Sequence, residues 1–572
     1  MKKGYMNKFI SFIAMAAATS LLCACGAERV ESGEPVKGTG AADAEAQKQE
    51  SESGGGTTAA PVGTEAAAET TTEAKTAKET TTTAETTATT EPFVYGSGDY
   101  TRINPAMDEH GEINILLFNG LTAHNGDNEV VPGLTRSWEF DEETCTYTFY
   151  LEENVQWHDG EAFTADDVKF TIEAIMDPEN GSENAPNYED VEEIRVLDEH
   201  TISFQLAAPN VAFLDYMTMA VLPEHLLAGE DMQESDFFRS PVGTGPYRLE
   251  SWDVGQAITL CRNEAYFKGT PQIEKIIFKI VPDDTAKALQ MKSGELDLAL
   301  LTPRDARNFA DAEGYTCYEM KTSDYRGILF NFQHEYWKKN RDIIPAVCCA
   351  IDRQTIIDAI LLGQGVPAYG PLQRNVYDNE DVDHYAYDPQ RAKDILESAG
   401  CTMGEDGFYE RNGERVGFVI SVGAGDQVRV DIAQATAQQL REVGIDCSVE
   451  IPVQVDWAGQ MAYLIGWGSP FDADDHTYKV FGTDKGANYS GYSNAEVDRY
   501  LQEARQSDDP AVRAAAYDRF QTALAADPAF VFICYVDANY VADSAIEGIC
   551  ADTVMGHHGV GIFWNVAEWT FQ

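Results

Sequence analysis

The stretch from Ser137 to Ile175 constrains the fold of this chain more than any other. From position 144 to position 149, threonines alternate strictly with Cys, Tyr and Phe. A period of two is typical of a half-buried strand. After a turn at 158–160, Thr164 is suited to be a helix N-cap, with Asp167 three positions on as its capping-box partner. These residues predict a strand, a turn and a capped helix that ends near Met176.

The residue types along this stretch also form a longer pattern. Its segments are Ser137-Trp138, Trp157-His158-Asp159-Gly160 and Phe163-Thr164-Ala165-Asp166-Asp167-Val168, followed further on by Pro241-Val242-Gly243-Thr244-Gly245-Pro246-Tyr247 and Ile351-Asp352-Arg353. In this order they resemble the family 5 extracellular solute-binding proteins, which are the peptide- and nickel-type binding components of ABC importers. The resemblance covers the chain from about Tyr95 to its C-terminus.

The resemblance implies an α/β fold of the periplasmic-binding-protein type, with two lobes around a hinged cleft and a smaller inserted subdomain. The length agrees, because 572 residues are too many for one hydrophobic core. The implied solute-binding domain covers 93–572, with lobe I at about 93–135, 240–320 and 530–572, the inserted subdomain at about 136–239, and lobe II at about 321–529.

Lobe II is predicted to repeat a strand-helix-strand order, which places a sheet between helices. Hydrophobic spacing predicts a helix from Asp431 to Val443, stopped by Gly444, and a strand at or near Val453 to Val455. In lobe I, a helix is predicted from Asp284 to a glycine cap at Gly294.

The N-terminal region is predicted to be a targeting segment and a linker. Residues 1–24 combine a basic start with an apolar run that is too short to span a membrane, which is typical of a secretory signal. Its Leu22-Cys23-Ala24-Cys25 ending resembles a bacterial lipobox, which implies lipidation of Cys25. A plain signal peptide cleaved after Ala24 is the alternative. Residues 25–92 are rich in Thr, Ala and Glu, and they are predicted to form a disordered linker.

The charge of the chain restricts its partners. It has 41 Lys+Arg against 95 Asp+Glu, a formal net charge of -54. Such a charge repels polyanions, so nucleic acid is excluded as a partner, whereas cationic and zwitterionic ligands remain compatible. Solubility alone also explains the charge. We expect a monomer that lies outside the cytoplasm and is tethered to the membrane by the lipid on Cys25.

One loop in the second half of the chain combines the residue types of a polar binding cleft. It runs from Gly466 to His476 and contains glycines, an indole and several carboxylates, which suit a cationic group. The candidate ligand contacts are Trp467, Asp472, Asp474, Asp475 and Tyr492, together with Gly243 and Gly245 in the proline-flanked loop. Two alternatives stay open: Trp467 as core packing, and Asp474-Asp475 as the cap of a helix that starts near Thr477.

The resemblance also suggests what this loop holds. In peptide-binding relatives, an Asp shortly after a Gly-Trp pair holds the α-amino group of the ligand. Here Ser469-Pro470 takes that place and Asp472 is the nearest carboxylate, so Asp472 has the role or the ligand lacks a free amino terminus. The run is also similar to nickel-type binders, which take up a metal wrapped in a small chelator. His476 is interpreted as a surface or helix-cap residue, and His557-His558 as a weak indication of a metal contact.

The predicted function is the substrate-binding component of an ABC importer, which captures short peptides and delivers them to a membrane permease. The alternatives are a binder of a nickel chelate or another small solute and, from a different class, a secreted hydrolase. No GxSxG or HExxH motif supports a hydrolase. We therefore expect no catalytic residues, no cofactor and no resident metal.

Overall fold

The computed structural model describes residues 91–107 and 111–571. Its strands are β1 (Phe93–Ser97), β2 (Thr122–His124), β3 (Val130–Pro132), β4 (Thr135–Asp141), β5 (Thr146–Leu151), β6 (Val191–Asp198), β7 (Thr201–Leu206), β8 (Tyr247–Asp253), β9 (Ala257–Arg262), β10 (Lys275–Ile280), β11 (Leu298–Leu301), β12 (Tyr315–Phe330), β13 (Gly365–Pro367), β14 (Thr402–Met403), β15 (Tyr409–Arg411), β16 (Glu414–Arg415), β17 (Gly417–Ser421), β18 (Asp446–Glu450), β19 (Ala462–Trp467), β20 (Phe530–Asp543), β21 (Ile546–Glu547) and β22 (Thr570–Phe571).

Helices lie between these strands. They are α1 (Glu112–Leu117), α2 (Ala165–Met176), α3 (Phe213–Tyr216), α4 (Glu224–Leu227), α5 (Asp284–Ser293), α6 (Pro303–Ala306), α7 (Glu335–Asn340), α8 (Ile344–Cys349), α9 (Arg353–Ile360), α10 (Pro389–Ser398), α11 (Gln427–Val443), α12 (Ala473–Phe481), α13 (Ala495–Arg505) and α14 (Pro510–Ala526). Short 3-10 helices include Ala185–Tyr188, His557–Gly559 and Ile562–Glu568.

One large mixed sheet forms the centre of the fold, with strand order β18-β17-β19-β12-β20-β11-β1-β10-β9-β8 and with β13 beside β20. At one end β1 runs parallel to β10 and β11, and at the other end β17 runs parallel to β18 and β19. Between these ends, the long strands β12 and β20 pair antiparallel, with a register shift between Lys321 and Tyr325. We call the half with β1 and β8–β11 lobe I and the half with β17–β19 lobe II.

The two lobes have separate hydrophobic cores. The core of lobe II includes Ile420 and Leu440. The core of lobe I includes Phe93, and it extends to Phe149 and Phe204 in a four-stranded sheet of order β4-β5-β7-β6. This smaller sheet therefore packs with lobe I. We call the sheet, the helices α2–α4 and the loops between them the inserted subdomain. The residue boundaries predicted for the lobes remain a prediction.

Elements with strong local signals form as predicted. Helix α2 spans Ala165–Met176, and Thr164 and Asp167 form the predicted capping box at its start. In the strand before it, Tyr147, Phe149 and Leu151 are buried, as the period of two requires. Helix α5 ends at Gly294, whose φ of 72° is the left-handed conformation that favours glycine.

Three local predictions in lobe II were wrong. Helix α11 begins at Gln427, four residues before the predicted start, because the Asp426 side chain accepts a hydrogen bond from Arg429 N and caps it. The strand after it is Asp446–Glu450, which pairs with β17, and Val453 lies in a loop with 93% exposure. Helix α12 begins at Ala473 rather than near Thr477, and its cap is Asp472.

The predicted signal peptide, the lipidation site Cys25 and most of the predicted linker lie outside the described residues. Within 91–107 and 111–571, no helix has both the length and the apolar character that crossing a membrane requires.

Candidate functional site

Trp467 stands at the end of β19, where lobe II meets the C-terminal segment. Its half-buried indole lies 6.1 Å from the His557 ring and 6.3 Å from the Tyr489 ring, measured between centroids. The next residue, Gly468, has a φ of 146°, and a Cβ there would collide with the Ser323 carbonyl oxygen. The loop after Trp467 therefore lies directly against the irregular part of β12, where that strand passes between the lobes.

A buried carboxylate organises the polar groups beside this indole. Asp324 is 0% exposed, and its Oδ1 accepts hydrogen bonds from Arg326 and from His557 Nδ1, the latter at 2.9 Å. Its Oδ2 accepts from the backbone N–H of His558 at 3.0 Å. Burial alone would raise the pKa of Asp324, but Arg326 and His557 outweigh it and hold the pKa well below its usual range. Asp324 is therefore ionised.

Two guanidinium groups lie next to this carboxylate. Arg429, in the first turn of α11, lies near Arg326, and a Cβ on Gly466 would clash with Arg326 Nη1 and lie 2.8 Å from Arg429 Nη2. Arg429 Nε forms an ion pair with Asp426 at 3.1 Å, whereas Arg429 Nη2 and Arg326 Nε have no hydrogen-bond partner among the described residues. Burial and the neighbouring Arg326 lower the pKa of Arg429. The site therefore has buried donors available to an acceptor.

We call Asp324, Arg326, Arg429, Trp467, His557 and His558 the cleft cluster. His558 is the exposed member of this cluster. The cluster combines an aromatic wall with fixed positive charge, an arrangement that suits a ligand with a carboxylate.

The three predicted carboxylates of the 466–476 loop lie close together, and each has a cationic partner within the protein. Asp472 pairs with Arg513 at 2.7 Å. Asp474 is 1% exposed, pairs with Arg505 Nη2 at 2.9 Å and accepts a hydrogen bond from Tyr216 OH at 2.6 Å. Asp475 pairs with Lys479 at 3.1 Å. Their negative charges are thus compensated without a ligand.

Tyr492 and His476 lie in the interior of lobe II. Tyr492 is 1% exposed and its hydroxyl donates to the Asp527 carbonyl at 3.1 Å. His476 is 2% exposed, with Nε2 3.0 Å from the Pro371 carbonyl oxygen. The prediction of a surface or helix-cap residue was therefore wrong, since the cap of α12 is Asp472. The structure brings neither side chain to the cleft cluster.

The two glycines of the proline-flanked loop allow two backbones to approach. A Cβ on Gly243 would collide with the Leu117 carbonyl oxygen, and one on Gly245 with that of Leu116. His158 holds the loop from its other side, because its Nδ1 accepts from Gly243 N and its Nε2 lies 3.1 Å from the Gly245 carbonyl oxygen. This loop therefore fixes the end of α1 beside the inserted subdomain.

Gly243→Ala is expected to lower the free energy of unfolding by about 2 kcal/mol, because the backbone around Leu117 must move to admit the methyl group. Denaturant unfolding of the full chain measures this loss. Gly370→Ala is the matched control, since a Cβ there meets no atom within 4 Å. Equal stability of the two variants would contradict the steric role.

Comparison with known proteins identifies the family. The model of bacterial extracellular solute-binding proteins, family 5 Middle, matches residues 129–489, which is more than half of the chain. The chain is a family 5 extracellular solute-binding protein. The family predicted from the sequence motifs is thereby confirmed.

Individual relatives agree with this assignment. Protein XP55 of Streptomyces lividans is 32% identical over 461 residues, covering 78% of this chain and 84% of that protein. NikZ from Campylobacter jejuni, whose crystal structure is in complex with Ni(L-His), matches with a TM-score of 0.79 at 33% identity, covering 84% of this chain and 99% of that one. The Bacillus subtilis oligopeptide-binding protein AppA, solved with a nonapeptide, matches with a TM-score of 0.74 at 25% identity and the same coverage.

These matches confirm the predicted two-lobe periplasmic-binding-protein fold. Most of the cleft cluster of this solute-binding protein was missed by sequence reasoning. No motif contains Asp324 or Arg326, which are two positions apart, or Arg429, which lies about 100 positions later. The His557-His558 doublet gave a weak signal. No group of three or more His, Cys, Asp or Glu side chains within 91–107 and 111–571 is arranged to hold a metal ion.

Proposed function

We propose that this solute-binding protein captures short peptides between its lobes and delivers them to the permease of an ABC importer. It acts as a monomer outside the cytoplasm, held to the membrane by a lipid on Cys25, and releases its ligand chemically unchanged. Peptide-binding relatives support the ligand class: AppA was solved with a nonapeptide, and a 26% identical relative is the dipeptide-binding protein of Escherichia coli.

The observation that carries this proposal is the pair of guanidinium groups in the cleft cluster. Arg326 Nε and Arg429 Nη2 are buried donors without a hydrogen-bond partner among the described residues, and Trp467 stands beside them. A peptide's terminal carboxylate satisfies such donors with charge-assisted hydrogen bonds, and an indole packs against an adjacent side chain.

We therefore assign the predicted site residues to two roles. Trp467 keeps its predicted role as a ligand contact in this proposal, and Arg326 and Arg429 are added to it. Asp472, Asp474, Asp475, Tyr492, Gly243 and Gly245 hold the walls of the cleft, because each has its own packing or charged partner within the protein.

Titration calorimetry of the full chain with di- to pentapeptides tests the proposal. We expect saturable binding of peptides that have a free carboxyl terminus and much weaker binding of their amidated forms. Mass spectrometry of the same mixtures should recover the peptides intact. Cleaved peptides would indicate a hydrolase, and absence of binding across the pool would overturn the peptide proposal.

Arg429→Gln is expected to weaken binding of a peptide with a free carboxylate about 30-fold, because one charge-assisted hydrogen bond to the ligand is lost. Amidation of the peptide should then reduce the affinity of the variant little further, because the terminal carboxylate has already lost Arg429 as its partner. Calorimetry measures both effects. Arg415→Gln is the control, because Arg415 lies elsewhere in lobe II and pairs with Asp446 at 3.2 Å. An unchanged affinity in Arg429→Gln would remove this residue from the site.

A chelated metal ion is the second candidate ligand. The rings of His557 and His558 are 3.9 Å apart beside Trp467, and NikZ was solved with Ni(L-His). Since the described residues contain no three-residue metal site, a nickel ion would have to arrive with ligands of its own. If the ligand is such a chelate, calorimetry should detect binding when nickel and free histidine are added together and none when nickel is added alone. The affinity for the chelate should then exceed the affinity for any peptide.

A further inference from the structure

The inserted subdomain and lobe II meet at a charged contact outside the cleft cluster. We call its residues the clasp: Glu189, Asp190 and Tyr216 from the inserted subdomain, and Asp474, Lys485 and Arg505 from lobe II. Lys485 Nζ lies 2.6 Å from Glu189, Arg505 Nη1 lies 3.2 Å from Asp190, and Tyr216 OH donates to Asp474 at 2.6 Å. A backbone bond from Val211 N to Arg505 O, 3.0 Å long, runs beside them.

The two faces of the clasp have complementary charge. The subdomain contributes two carboxylates and a hydroxyl, and lobe II contributes two cations and one carboxylate. The centre is deeply buried, since the Arg505 and Asp474 side chains are 1% and 0% exposed, whereas Glu189 and Lys485 at its edge are 34% and 22% exposed. The charged groups of each face therefore have more ionic and hydrogen-bonding partners when the two faces are in contact than when they are apart.

A second contact extends along the same boundary. The ring of His124 stacks on Phe471 at 3.7 Å between centroids, with an angle of 5° between the planes. Asp215 Oδ1 lies 2.9 Å from His124 Nε2, and the same oxygen accepts a hydrogen bond from Asp472 N at 3.4 Å. The boundary is thus formed by specific polar groups and not by a continuous apolar core.

Separation of this contact would leave no charge of the clasp buried alone. If the faces parted, Arg505 would retain Asp474, its partner on lobe II, while Glu189, Asp190 and Lys485 would become hydrated. The subdomain shares its core with lobe I, and lobe II has a core of its own. A bend in β12 and β20, the long strands between the lobes, would therefore separate the two faces of the clasp.

We propose that the clasp holds lobe II closed against the inserted subdomain and thereby sets the rate at which the captured solute is released. This inference rests on the proposed capture of a solute between the lobes. The clasp residues are positioning residues: they touch no ligand, and they act on its release by biasing the open and closed conformations of the protein.

Tyr216→Phe tests the proposal, because it removes one hydrogen bond to a carboxylate and retains the ring. Tyr150→Phe is the matched control, since Tyr150 OH donates to Glu139 at 3.0 Å within the inserted subdomain alone. In the ligand-free full chain, hydrogen exchange measured by mass spectrometry should be about 10-fold faster around Val211 in Tyr216→Phe. Exchange in strands β5 and β17, inside the two cores, should match the wild type.

The same variant should release a bound peptide about 10-fold faster in stopped-flow measurements, with little change in the association rate. Glu189→Gln, at the exposed edge of the clasp, is a second variant that leaves the core intact and is expected to shift both readouts in the same direction. Wild-type exchange and release in both variants would show that these bonds do not hold the two faces together and would overturn the proposal. Faster local exchange in a protein that binds no peptide would retain the clasp and reject the peptide function.

Discussion

Arg505→Met is expected to lower the free energy of unfolding by about 3–5 kcal/mol, the cost of leaving a buried carboxylate without its cation. The Arg505 side chain is 1% exposed, and it contacts Asp474 at 2.9 Å and Asp190 at 3.2 Å. Its guanidinium also lies 3.7 Å from the centroid of the Tyr478 ring. Methionine retains most of the apolar volume of the side chain, so the loss measures mainly the charge and its hydrogen bonds.

Urea unfolding of the full chain at pH 7 measures this effect. Arg519→Met is the matched control, because Arg519 pairs with Glu503 at 2.9 Å but both side chains are about 40% exposed, and such pairs contribute less than about 1 kcal/mol. Adding Asp474→Asn to Arg505→Met should restore part of the stability, since it removes the uncompensated charge. A single variant as stable as the Arg519 control would disprove the role of Arg505.

Glu112 is expected to make the stability of the protein fall by about 3 kcal/mol as the pH rises, most of it between pH 5 and pH 8. Burial raises the pKa of this carboxyl to about 7, although hydrogen bonds from Gly561 N, Ile562 N and Tyr540 OH oppose the shift. The folded form therefore binds more protons than the unfolded chain. Its stabilisation is complete below about pH 4.5 and is lost as the pH rises through 7.

Glu112→Gln isolates this contribution, because an amide does not ionise. The difference in unfolding free energy between variant and wild type should grow in favour of the variant from pH 5 to pH 8, as measured by urea unfolding at both values. Glu192→Gln, at an exposed position, should show no such growth. A pH-independent difference for Glu112→Gln would mean that the pKa of this carboxyl is the same in the folded and the unfolded protein.

Glu112 also explains how the C-terminal segment reaches the cleft. The carboxyl accepts hydrogen bonds from the backbone at Gly561 and Ile562, just after His557 and His558 of the cleft cluster. Nothing in the sequence around position 112 indicates this contact, since the two partners are 449 and 450 positions away. The burial of this carboxyl depends on packing against the distant C-terminal segment, which no local sequence pattern predicts.

The elements that could be predicted are those whose cause lies within a few residues. The capping box of α2 needs only Thr164 and Asp167, and the strand before it needs only its alternation. Val453 misled the prediction because a β-branched residue after a helix suits a strand, whereas the register of β18 with β17 places the strand at Asp446–Glu450. That register depends on a partner elsewhere in the chain.

The residues alone determined the family, the two-lobe α/β fold, and the position of a tryptophan and three aspartates in one loop. Only the tertiary structure decided what those aspartates do. Tyr216 and Asp474 are 258 positions apart, and Arg505 and Asp190 are 315 apart, yet each pair is in contact. A carboxylate binds a ligand or stabilises the protein depending on whether a cation lies within about 4 Å, and that distance is set by how distant segments pack.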